Sequence, residues 1–146
     1  MILAHGTCIS IDGAGVLLRG PSGSGKSDLA LRLLNRKDLN VLLVADDQVY
    51  LDQRGEDLWA AASDELSSMM EVRGVGLVAV DHMTEVRVRL VLDLCSLESV
   101  PRLPQVSRCT IDGVTLPLYP CAPLEASAPD KVVLLARSLG GDILRS

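Results

Sequence analysis

Residues 20–27 read Gly20, Pro21, Ser22, Gly23, Ser24, Gly25, Lys26, Ser27. Gly20, Gly25, Lys26 and Ser27 fill the spacing G-x-x-x-x-G-K-[ST]. A phosphate needs several donors converging on one point. Glycines let the backbone turn tightly and bring its N–H groups close to phosphate oxygens. A helix starting near Ser27 adds its positive N-terminal end. In this pattern Lys26 reaches the outer phosphates and the Ser27 hydroxyl is placed to bind Mg²⁺. The whole segment 20–27 is therefore expected to cradle the phosphates of a nucleotide.

A phosphate loop does not name a reaction, because it serves kinases, motors, switches and passive binders. Other residues must decide. Asp46 and Asp47 close an apolar run, "LLVADD". A carboxylate there can orient Mg²⁺ or take a proton from an attacking hydroxyl. Adjacent strand residues point in opposite directions, so one of the two is expected to face the phosphates. "MEVRGVG" at 70–76 puts Glu71 and Arg73 on one face if extended, with Gly74 and Gly76 marking a bend or a close approach. His5 and Arg102 are uninformative alone. Trp59, His82 and the cysteines take structural readings.

The elements that must position these residues are legible as periodicities. "GAGVLLRG" (13–20) reads as a short buried strand. "SDLALRLLN" (27–35) has helical apolar spacing, at Leu29, Ala30, Leu33 and Leu34. "LNVLLVADD" (39–47) is an apolar run typical of a strand covered on both faces. Strand, glycine loop, helix, strand predicts a βαβ unit. Further on, "TEVRVRLVLDL" (84–94) alternates over Glu85–Arg89 and predicts a half-exposed strand. Asp112-Gly113 in "CTIDGVTLPL" predicts a hairpin. "PLYPCAP" (117–123) reads as a proline-rich turn region. "DKVVLLARSL" (130–139) reads as a closing helix stopped by Gly140-Gly141. The expected fold class is α/β: a parallel nucleus, later antiparallel strands, and helices on a mixed sheet.

Composition narrows the partners. At 146 residues the chain is expected to form a single domain, 1–146, and 48% apolar residues suffice for its core. Only 2% are aromatic, which removes the stacking platforms that single-stranded nucleic acid needs. A net charge of −5 likewise argues against a polyanionic partner. Cys8, Cys95, Cys109 and Cys121 form no C-x-x-C pair, so zinc is not expected and reduced thiols are. The start "MILAHGTC" lacks a basic n-region and a long apolar stretch, and no run is long enough to span a bilayer. A soluble cytoplasmic protein is expected.

Taken together, "HG" (5–6), "GPSGSGKSDLAL" (20–31), "LLVADDQV" (42–49), "EVRGVG" (71–76), "PRL" (101–103) and "TLPLYP" (115–120) resemble the catalytic domain of HPr kinase/phosphorylase. The resemblance implies a P-loop fold related to the nucleotide site of phosphoenolpyruvate carboxykinase. It implies ATP and Mg²⁺ as cofactors and transfer of the γ-phosphoryl group to a serine of an HPr-like phosphocarrier. By resemblance, Asp47 is the general base and Ser27 and Glu71 are the Mg²⁺ ligands. His5 and Lys26 are the catalytic pair at the phosphate, Arg102 is a catalytic arginine, and Asp46 supports metal or loop geometry. A homo-oligomer, hexameric in the family, is implied in the same way. Longer members carry an additional N-terminal domain, so this sequence resembles a short form. Where the family usually continues P-G-R-N, a segment associated with phosphorolytic dephosphorylation, this chain has "PCAPLEAS" (120–127). The kinase direction is thus the one carried over. Two rivals stay open: a P-loop kinase of a small hydroxylated metabolite, and a non-catalytic nucleotide-binding regulator.

Overall fold

The apolar runs become strands because their β-branched and leucine side chains can be buried on both faces of a sheet. The computed structural model describes residues 1–63 and 68–139. In chain order the elements are β1 (Ile2–His5), β2 (Thr7–Ile11), β3 (Ala14–Arg19), α1 (Lys26–Leu34), β4 (Val41–Ala45), β5 (Gln48–Arg54) and β6 (Asp57–Ala62). There follow β7 (Met69–Val72), β8 (Gly76–Ala79), β9 (Glu85–Leu94), β10 (Ser107–Ile111), β11 (Val114–Cys121) and α2 (Ala128–Arg137). Nine strands form one mixed sheet with the path β1-β5-β6-β9-β3-β2-β4, and β10 joins it through β11, which pairs with β9. The β7–β8 hairpin stands apart as a two-stranded sheet.

The expected βαβ unit is present, with one correction. β3 and β4 are not neighbours, because β2 lies between them and is antiparallel to both. Direct parallel pairing falls instead on β3 with β9 and on β9 with β11. The β3–α1–β4 crossover therefore spans one inserted strand. β4 ends the sheet, and its free edge is covered by the 81–83 segment: Leu43 N–H donates to Asp81 O and Met83 N–H to Leu43 O, both at 2.9 Å.

The sheet has two buried faces. On one, Ile9, Val16, Leu18 and Leu90 pack against Leu29 and Leu33 of α1 and Val132 of α2. On the other, Cys8, Leu17, Val44 and Val91 pack against Leu51, Leu58, Ile111 and Leu116. Consecutive residues such as Cys8–Ile9 and Leu17–Leu18 serve opposite clusters, as the two-residue period of a strand requires. Leu29 and Leu33 of α1 are fully buried. Burial of each such leucine stabilises the fold by about 1.5–3 kcal/mol.

β9 begins as the alternating strand expected over Glu85–Arg89 and becomes buried from Leu90 to Leu92. Asp112-Gly113 forms the two-residue turn between β10 and β11, with φ of 47° and 85°. The proline-rich stretch needs a second correction. Residues 117–121 are not a turn; they continue β11 through Cys121. Pro117 faces Arg108 of β10, and Pro120 faces Asp93 of β9, so each proline has only one neighbour in the register. A strand tolerates a proline where its missing N–H has no partner to meet. The closing helix is α2, two residues earlier than expected at its start. Gly140-Gly141 lies outside the described residues. No described helix is long and apolar enough to cross a membrane.

Candidate active site

The phosphate loop sits between the C-terminal end of β3 and the start of α1. Two parallel strands anchor its entrance, because Arg19 at the end of β3 grips Asp93 of β9 through a two-pronged contact at 2.7 and 3.0 Å. That carboxylate raises the guanidinium's affinity for its proton still further. At the exit, Gly25 caps α1 with φ 104°, a conformation that side-chain-bearing residues rarely adopt. A Cβ there would also lie 3.2 Å from the Pro123 side chain. Pro123 belongs to the divergent segment 120–127, and Arg32 of α1 holds that segment by donating to the carbonyls of Pro123 and Glu125. The loop is thus wedged between β9 and the chain that leaves β11.

Lys26 is buried, and its ammonium donates to Gly20 O at 2.8 Å and Pro21 O at 3.0 Å. These bonds close the loop on itself. Ser24 Oγ is a buried hydroxyl without a hydrogen-bond partner among the described residues. Such an orphan is costly unless a ligand or solvent satisfies it.

The acids come from a corner in the backbone. Cys8 lies opposite Ala45, and His5 lies opposite Gln48. The chain joining β1 to β2 therefore runs antiparallel to the chain joining β4 to β5, in one register. Gly6 N–H donates to Asp47 O at 2.9 Å within this stretch. A Cβ on Gly6 would lie 3.0 Å from Leu18 O, a tight approach of the corner to β3. Asp47 has φ 70°, and Gln48 N–H donates to Asp46 O at 2.9 Å. This is a γ-turn of the strained sense, costing about 1–3 kcal/mol. Strand alternation was the expected reason that one of the two acids faces the phosphates. The acids prove to lie beyond β4, and the γ-turn separates them.

Asp47 faces outward and its Oδ1 lies 2.8 Å from His5 Nε2. Asp46 turns inward: its Oδ1 accepts from Ser27 Oγ at 2.8 Å and from Thr7 Oγ1 at 2.9 Å. Lys26, Ser27, Asp47 and Glu71 line one cavity of about 710 Å³. That lies within the roughly 300–1,000 Å³ usual for small-molecule sites. The β7–β8 hairpin forms the facing wall. Its turn, with Gly74 at φ 85°, brings Arg73 into the lining beside Glu71. The bend expected from the glycines is there.

Four of the expected catalytic and metal residues thus share one cavity, and His5 joins them through Asp47. Arg102 does not. It is exposed in the irregular segment after the Leu97–Ser99 turn and is not part of the cavity lining. Two residues of the site carried no assigned role in the sequence. Arg73 was visible inside the "EVRGVG" motif. Thr7 carried no local signal, because its role depends on a residue 39 positions away.

The residues suit a nucleotide with a hydrated divalent cation. No cluster of three or more acidic, His or Cys side chains able to hold a metal occurs among the described residues. Mg²⁺ ordinarily takes only one or two protein ligands and completes its shell with phosphates and water. Ser27 Oγ on one wall and the Glu71 carboxylate on the other are oxygen donors of that kind.

Comparison with known proteins identifies the family and the fold. Residues 1–106 match the HPr Serine kinase C-terminal domain. An HPr kinase/phosphorylase from Mycoplasma pneumoniae is 38% identical over 101 residues, covering 64% of this chain and 31% of the relative. One from Alkaliphilus metalliredigens is 35% identical over 136 residues, covering 82% of this chain and 43% of the relative. The chain therefore spans less than half the length of these relatives. The solved Hpr(Ser) kinase/phosphatase from Coxiella burnetii superposes with a TM-score of 0.80 over 94% of this chain and 95% of that one, at 24% identity. The fold is shared with that structure, and by the match over residues 1–106 the chain belongs to the HPr serine kinase C-terminal domain family.

Proposed function

We propose that this domain is an ATP- and Mg²⁺-dependent protein-serine kinase acting on an HPr-like phosphocarrier. One observation carries the reading: a phosphate loop and an exposed carboxylate, Asp47, line the same cavity. Family membership supports the choice of acceptor, since the relatives are named HPr kinase/phosphorylase.

Backbone N–H groups from about Gly23 to Ser27 and the Lys26 ammonium bind the phosphates of ATP. Ser27 and Glu71 hold Mg²⁺, which supplies charge neutralisation at the transferring phosphoryl group. Asp47 takes the proton from the acceptor serine as its oxygen attacks the γ-phosphorus and the bond to ADP breaks. His5 holds the Asp47 carboxylate in its outward rotamer by donating to it. Catalysis is then mainly positioning and charge stabilisation. Arg102, exposed outside the cavity, acts on the acceptor side once the carrier docks. The enzyme so read is cytoplasmic and a homo-oligomer.

A small-molecule kinase usually closes an arginine-rich lid over its phosphates. Among the described arginines Arg73 alone lines the cavity, one cation where such a lid carries several; Arg36, Arg54 and Arg87 are engaged with acids and Arg32 with carbonyls and Asp28. This favours a protein acceptor. The test is incubation with Mg-ATP and a purified HPr-type carrier, followed by phosphoserine detection. Transfer to the carrier is expected. A folded, ATP-binding enzyme that fails to transfer, or that releases ADP on a metabolite alone, would overturn the reading.

A further inference from the structure

We propose that Thr7 is a positioning residue for the metal side of this site, a role that rests on the kinase reading above. Thr7 is the first residue of β2 and is fully buried. Its hydroxyl donates to Asp46 Oδ1, the same oxygen that accepts a hydrogen bond from the Ser27 hydroxyl. Asp46 is not part of the cavity lining, whereas Ser27 is. The three residues therefore form layers running inward from the ligand: Ser27, then Asp46, then Thr7.

The chemistry follows from the hydroxyl's inventory. Serine carries one proton and two lone pairs. While the proton is committed to Asp46, both lone pairs remain for a cation in the cavity. If the proton swings into the cavity, it repels the cation and occupies its place. What matters is thus how firmly Asp46 holds its rotamer. Asp46 lies next to the strained turn at Asp47 and is only half buried, so the backbone alone leaves its side chain room to rotate. Thr7 supplies the second anchor. It comes from a different strand, and the antiparallel register carries it past Asp46. Partners behind a metal ligand commonly tune metal affinity by tenfold or more, and one layer further out the effect is smaller.

The experiment is calorimetric binding of a non-hydrolysable ATP analogue at a series of Mg²⁺ concentrations, with a melting curve for each variant. Thr7→Val keeps shape and strand propensity but removes the donor. Thr7→Ser keeps the donor. We expect Thr7→Val to raise the half-saturating Mg²⁺ about fivefold, as loss of one hydrogen bond would. Affinity without Mg²⁺ should stay within about twofold of the parent, and Thr7→Ser should restore the Mg²⁺ dependence. An unchanged Mg²⁺ dependence in Thr7→Val, or equal weakening with and without Mg²⁺, overturns the role even if the melting temperature falls. Absence of any Mg²⁺ dependence in the unsubstituted chain overturns the kinase reading and this role with it, a result distinct from the others.

Discussion

His5 and Asp47 meet at 2.8 Å although they lie 42 positions apart in the chain. The contact is made on the surface, with Asp47 about three-quarters exposed. An exposed pair contributes little to stability. Its value lies in orientation, because the left-handed backbone at Asp47 and the His5 contact fix an exposed carboxylate at the cavity rim. Asp47→Asn keeps the shape and removes the basic oxygen. It is expected to lower phosphotransfer by about 10²–10⁴-fold, the usual worth of a general base. Nucleotide affinity should stay within about threefold of the parent in calorimetry, since no phosphate donor is removed. Loss of nucleotide binding in parallel would place Asp47 among the binding groups instead.

Gly25 tests whether the loop is wedged by the divergent segment. Gly25→Ala meets both a φ of 104° and the Pro123 side chain at 3.2 Å. Gly55→Ala, at φ 64° with nothing within 4 Å, meets only the left-handed backbone penalty. Gly55→Ala should cost about 1 kcal/mol and spare nucleotide binding. Gly25→Ala should cost more than that and weaken nucleotide binding at least about tenfold. Chemical denaturation and calorimetry separate the two effects. Equal costs would mean that Pro123 moves aside freely.

Arg102 should behave oppositely to Lys26. It is exposed and outside the cavity. Arg102→Ala is expected to leave nucleotide affinity within about twofold and lower transfer to the carrier at least tenfold, or about 1.4 kcal/mol. Steady-state rates against carrier concentration are the check. A weakened nucleotide affinity would show that Arg102 reaches the phosphates without the carrier.

The cysteines give a pH prediction. Burial pushes the Cys8 thiol from a free thiol's 9.0 up to about 12, and the Cys121 thiol, mainly by burial, up to about 11. The native chain therefore holds both protons where the unfolded chain releases them. Below about pH 9 the two states match and nothing is lost. Above it the unfolded state ionises first, so stability falls progressively as pH rises towards 11–12. Alkylation at pH 8 should leave both thiols unmodified in the native protein and label them after denaturation. Rapid native labelling of Cys8 would contradict its burial.

Much of the site's donor side was legible in the sequence alone. The phosphate loop, the helix behind it and the strands around it are encoded by neighbours in the chain: glycine placement, helical leucine spacing and continuous apolar runs. Local patterning reports local structure, and these features came through nearly to the residue. What the tertiary structure decided was every relationship across the chain. It placed β2 between β3 and β4, carried β11 through two prolines, and set the β7–β8 hairpin so that Glu71 and Arg73 line the same cavity as Lys26. It also assigned the two aspartates. Their order says that they differ, but only the antiparallel register brings His5 to one and Thr7 to the other. Register is set by the burial of whole strand faces, a sum over distant side chains that no short stretch of sequence contains.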